Sequence, residues 1–135
     1  MKTSATPRPR QLAQLDPATA SLRHAVARWG LANGRRVDFD ALTVILATKA
    51  EDGAALVNRW IEDDVWRLWW IDLSGWCSRR GLRTPDGLAT TMLTLFAYLA
   101  ETGQLCAGSD TLEDLERAME GAGALWGGPK TVPAS

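Results

Sequence analysis

The chain has 135 residues, 46% of them hydrophobic, and a formal net charge of −1. That length suits one domain around one core, and the composition excludes a globally disordered chain and a protein that is basic throughout. The charge is unevenly spread: residues 1–36 carry seven basic residues against Asp16 alone, whereas the remainder carries eight basic and fifteen acidic residues.

Residues 1–11 read as a flexible basic arm, because Pro7 and Pro9 interrupt regular structure and Arg8 and Arg10 hold the segment in water. A single helical domain is expected over 12–126, and a flexible tail over 127–135, where Gly127, Gly128, Pro129 and Pro133 collect. The first helix starts at Asp16 as N-cap with Pro17 just inside it, buries Leu22, Val26 and Trp29, and stops near Gly34. The second starts at Asp38, buries Phe39, Leu42, Ile45 and Leu46, and ends at Asp52-Gly53. A short helical segment over 54–60 is expected to bury Val57 and Trp60.

Five tryptophans, Trp60, Trp66, Trp69, Trp70 and Trp76, fall within seventeen residues. Glu62, Asp63 and Asp64 put negative charge where a helix N-terminus favours it, and Arg79, Arg80 and Gly81 supply a basic last turn and a stop. On a regular helix Trp66, Trp69, Trp70, Leu73, Trp76 and Cys77 share one face, and Leu68 and Ile71 fall on the other. A helix apolar on two sides is either central in a bundle or covered by a partner, so Leu68, Ile71 and Trp70 are the protein-contact candidates. The fifth helix is expected from Thr84 and Pro85, with Leu88, Met92, Leu95, Phe96 and Leu99 buried. The sixth is expected from Asp110, with Glu113 completing a capping box and Leu112, Leu115 and Met119 forming its stripe. The fold class is therefore all-α: a compact bundle of five or six short helices with a central Trp-rich helix.

The residue inventory offers little chemistry. His24 is the only histidine, which excludes two-histidine metal motifs, and no acid or cysteine stands at ligand spacing on its helix. Cys77 and Cys106 form no CxxC pair, and no nucleophile elbow is present. The late glycines lack the Lys-Ser or Lys-Thr of a phosphate loop. Glu62, Asp63 and Asp64 have the composition of a hard-cation site, but their place at a helix start favours the dipole role. No catalytic residue, metal or cofactor is expected. The sequence shows neither a signal-peptide core nor an apolar run of membrane-spanning length, so a cytoplasmic protein with reduced thiols is expected.

The stretch Trp76-Cys77-Ser78-Arg79-Arg80-Gly81-Leu82-Arg83-Thr84-Pro85 resembles part of the core-binding domain of tyrosine recombinases and phage integrases. Tyr98-Leu99-Ala100 and Thr111-Leu112-Glu113 are similar to elements of that domain's following helices, so the likeness runs over roughly residues 64–122. It implies a small helical bundle that clamps DNA, here without the family's catalytic domain. Two functions are thus expected: a non-enzymatic protein working through protein–protein contact or self-association, and a DNA-binding accessory protein. The second assigns phosphate contacts to Arg8, Arg10, Arg79, Arg80 and Arg83.

Overall fold

The computed structural model describes residues 9–51, 53 and 56–126, and every regular element among them is helical. In chain order they are α1 (Pro9–Leu12), α2 (Pro17–Ala32), α3 (Phe39–Ala50), α4 (Glu62–Arg67), a π-helical turn (Leu68–Asp72), α5 (Leu73–Arg79), α6 (Leu88–Glu101) and α7 (Leu112–Trp126). The α4, π and α5 segments follow one another without a break, so the described chain makes five principal rods and one short helical turn. Among the described residues no helix is long and apolar enough to cross a membrane.

Local chemistry explains several boundaries. Asp16 caps α2: its carboxylate accepts from the Thr19 amide at 3.2 Å, with Pro17 at the first helical position. Asp38 caps α3 in the same way, accepting from the Ala41 amide at 2.8 Å. Gly34, with φ of 67°, follows the end of α2 in the left-handed conformation.

Other boundaries move from their expected places. Pro9 does not interrupt structure; it opens α1, which packs on α3, and it is itself buried. A proline at a helix start loses no hydrogen bond, which is why the expected break becomes a start. Residues 1–8 and the tail 127–135 lie outside the described residues. Of the short segment expected over 54–60, residues 54 and 55 lie outside the described residues, Leu56 is 3₁₀-helical and runs into a turn at Val57 and Asn58, and Val57 and Trp60 are buried as expected. The α6 helix begins at Leu88, not Thr84, because Gly87 at φ of 76° cannot sit inside a right-handed helix. A Cβ there would lie 3.3 Å from the Asp38 Cβ, so the start of α3 fills the space beside it. Thr111, not Asp110, caps α7 by accepting from the Asp114 amide at 3.2 Å. Asp110 instead accepts from the Glu62 amide at 2.8 Å and so caps α4 from across the molecule.

Burial ranks the rods. Residues 41–49 of α3 are buried without interruption, as are 94–99 of α6. These two helices pack on each other and carry the centre of the core with Leu42, Ile45, Leu46, Leu95, Phe96 and Leu99. The Trp-rich rod bridges α3 and α7. Its inner side is buried at Val65, Leu68, Trp69, Leu73, Trp76 and Cys77.

Candidate functional site

The Trp-rich rod departs from a regular α-helix in one turn. The Leu73 amide donates to the Leu68 carbonyl, the five-residue step of a π turn. The sequence explains why. In an uninterrupted α-helix Asp72 would stand seven residues after Val65, three after Trp69 and four before Trp76, in the middle of the buried stripe. A lone carboxylate there would lose its water without a buried partner. The π turn rotates Asp72 to the rim, where it keeps 31% exposure and meets the Arg67 Nε at 3.6 Å.

That rotation decides the fate of the contact candidates. Trp70 and Ile71 point outward, 46% and 63% exposed, and with Leu31 they are the exposed large hydrophobics of the described chain. Leu68, expected beside Ile71 on an outer surface, is instead 2% exposed and belongs to the core. Trp70, expected in the buried stripe, leaves it for the same reason: the wider turn moves the inner face from residues 66, 69 and 70 to residues 65, 68 and 69. π turns inside α-helices recur at functional positions.

The other rings of the cluster are committed to packing. Trp69 is buried and its Nε1–H donates to the Met119 sulfur at 3.1 Å. Trp60 meets Phe96 edge-on with centroids 5.1 Å apart, and its Nε1–H donates to the Val57 carbonyl at 2.9 Å. Trp66 lies on Gly121 so closely that a Cβ there would be 3.2 Å from its ring. Trp76 carries the Arg80 guanidinium at 4.0 Å from its centroid.

The arginine corner after α5 is tied to α3. Arg79 and Arg80 reach the two oxygens of Glu51 at 3.4 and 3.5 Å. Arg80 also donates to the Trp76 carbonyl at 3.1 Å, so stacking, carbonyl and carboxylate occupy its fork. Arg83 is exposed. Arg8 and the side chain of Arg10 lie outside the described residues. A groove of about 500 Å³ opens beside this corner, lined by Leu15, Asp16, Ala47, Glu51, Trp76 and Arg80.

One polar cluster was not legible in the sequence. Lys49, 4% exposed, pairs with Asp64 at 3.1 Å and lies over the Trp60 ring at 4.6 Å. Asp64 also accepts from the Ile61 amide at 3.0 Å. The middle acid of the Glu62–Asp64 run is exposed, but the last is thus a buried-lysine partner and a helix-start acceptor. A Lys in the last turn of a largely apolar helix was the available signal, and it reads equally as an ordinary dipole complement.

Burial pushes the Cys77 thiol up, against a smaller opposing pull from Arg80, which lowers its thiolate fraction. The Cys106 thiol donates to Asn58 Oδ1 at 3.2 Å. His24 is exposed and meets Phe39 edge-on at 6.2 Å. Among the described residues no group of three His, Cys, Asp or Glu side chains is placed to hold a metal ion.

Comparison with protein-family models, curated proteins and solved structures gave no significant match.

Proposed function

We propose that this protein acts by binding rather than by catalysis, and that the outer side of the Trp-rich rod is where a protein partner or a second copy docks. The observation that carries the reading is the adjacent pair Trp70 and Ile71, held outward by a π turn in a rod whose inner side is fully packed. Exposed tryptophan is enriched at the energetic centres of protein interfaces, because one ring buries a large area with little entropy to lose. Leu68 supports the patch from within. Asp63, Arg67 and Ser74 border it on the same outward face and give it a polar rim.

Light scattering coupled to size exclusion, with affinity recovery of partners, tests this. Ile71→Glu is expected to abolish the association while leaving the helical circular dichroism intact. A strictly monomeric protein whose recovered partners are unchanged by Ile71→Glu would falsify the reading.

A second reading is a DNA-binding accessory protein similar to a stand-alone recombinase core-binding domain. The exposed Arg83 beside Arg79 and Arg80 supports it. Glu51 weakens it, because both neighbouring arginines are already paired there. Glu51→Gln frees both guanidiniums and is expected to strengthen any duplex binding at low salt, with each added phosphate contact steepening the log–log salt slope by about 0.9.

A further inference from the structure

Residues 17–36, which make α2 and the turn after it, hold four arginines and no acid. Arg23 is used internally: it donates to Thr43 Oγ1 at 3.0 Å and lies over the Phe39 ring at 4.6 Å. Arg28, Arg35 and Arg36 are exposed, and among the described residues none of them has a carboxylate within ion-pair distance. Arg35 rests over the Trp29 ring at 5.7 Å. Ser21, His24, Arg28 and Leu31 recur at helical spacing along the outward face, and Leu31 is 84% exposed. The dipole of α2 favours cations near its C-terminus, but it gives no account of an exposed leucine among them.

The opposite charge balance lies on α4 and α7, which α6 joins to α2. The α6 helix packs on α2 and on α7, and α7 in turn packs on α4. The α4 and α7 segments together hold seven acids, Glu62, Asp63, Asp64, Glu113, Asp114, Glu116 and Glu120, against Arg67 and Arg117. Asp63, Glu113 and Glu120 are exposed. Arg117 is already bound by Asp114 at 2.8 Å, with Glu113 and Glu62 close enough to act on it. Trp70 and Ile71 stand on the same rod as Asp63, so the three exposed large hydrophobics divide between the two flanks, one basic and one acidic. The facing helices match in length: α2 has 16 residues and α7 has 15, about 24 and 22 Å at 1.5 Å per residue.

We infer that the basic α2 face of one copy docks on the acidic α4–α7 side of a second copy, with Leu31 meeting the Trp70–Ile71 patch. The inference rests on the proposed binding role of that patch and adds the identity of the partner and the surface it offers. Two different surfaces meet, so the contact is heterologous and repeats from copy to copy, as a ring if it closes and as a filament if it does not. Opposite charge selects the register and speeds the encounter, and the apolar pair supplies the buried centre.

The experiment is sedimentation velocity on the full chain across protein concentration and from about 0.05 M to about 1 M salt, where the Debye length falls to about 3 Å. Association is expected to grow with concentration and to weaken about tenfold or more at high salt. Two charge-reversed proteins complete it: Arg28→Glu with Arg35→Glu, and Glu116→Lys with Glu120→Lys, the latter chosen outside the first turn of α7. Each is expected to be monomeric alone, and an equimolar mixture is expected to recover association, because each reversed face then meets its complement. Circular dichroism and a urea midpoint establish that both are folded. A monomeric wild type overturns the inference, as does a mixture of folded variants that does not associate. If Ile71→Glu abolishes association but arginine reversal does not, the patch retains its binding role and the charged docking falls. A monomeric wild type that shifts a duplex DNA probe through Arg28 and Arg35 reassigns the α2 face to nucleic acid and also overturns it.

Discussion

Trp69 and Trp70 are chain neighbours on one rod, the first turned inward and the second toward solvent. Trp69 is 4% exposed and bonded to Met119, whereas Trp70 keeps 46% of its surface in contact with solvent. The inner side of the rod is fixed by packing against α3 and α7, and its energetic content is packing. The outer side carries apolar surface that the described fold does not bury fully. The difference teaches that a tryptophan cluster in a sequence mixes two roles, and that a single wide turn separates them.

The largest test of that contrast is a pair of truncations. Trp69→Ala should destabilise the protein by about 3–5 kcal/mol, through lost burial and the cavity left behind. Trp70→Ala should change stability by only about 0.5 kcal/mol, as substitutions away from the core do. Urea unfolding of both proteins decides it, and equal costs would mean that the two sides are energetically alike.

Of similar size is the effect of Asp64→Ala. It strands the Lys49 ammonium, 4% exposed, over the Trp60 ring without its carboxylate. Removing one partner of a buried pair costs about 3–5 kcal/mol, because the other charge stays desolvated. Lys49→Met should cost less in the same unfolding assay, since Asp64 keeps the Ile61 amide and Arg67.

A smaller effect sharpens the role of the π turn. Deleting Trp70 would leave the buried residues of the rod at spacings of three, one, three, three and one, which is a regular α-helical stripe. The deletion is expected to preserve helix content and cooperative unfolding, at a cost below the 3–5 kcal/mol of the core truncation, while removing the outward patch and the association it supports. Deletion of Ser74, which lies beyond the turn, should instead misalign Trp76 and Cys77 and lower the urea midpoint sharply.

The smallest effect concerns Asp16, whose carboxyl is held below its ordinary value, chiefly by the Thr19 hydroxyl and then by the Thr19 amide. A carboxyl depressed in the folded state contributes stability above its unfolded pKa and loses it as pH falls through the folded one. Wild type should therefore exceed Asp16→Ala in thermal midpoint at neutral pH, and the gap should close in acid. A gap independent of pH would remove the carboxylate from the cap.

Much of the architecture was readable from residues close in the chain. Asp16-Pro17 and Asp38 specify helix starts through their own side chains and amides, so those boundaries hold. The start expected at Thr84 failed because Gly87 adopts a left-handed conformation against α3, which no local pattern dictates. Asp110 has the chemistry of a cap, but the helix it caps lies 48 residues earlier in the chain. At the candidate site, the outward position of Ile71 was legible from helical spacing, whereas Trp70 and Leu68 each lie on the side opposite to the one that spacing assigns. A regular wheel assigns faces on the assumption of one period, and the π turn changes the period where the assignment matters.

The sequence by itself determined the helical class, the tryptophan cluster and the separation of a basic N-terminal segment from an acidic remainder. Those follow from periodicity, propensity and composition, which are local or additive. Only the tertiary structure decided which tryptophan faces out, that Glu51 holds the arginine corner, and that Lys49 is buried against Asp64 and Trp60. Each of those depends on elements distant in the chain arriving at one place, where burying or sparing a charge outweighs local helical geometry.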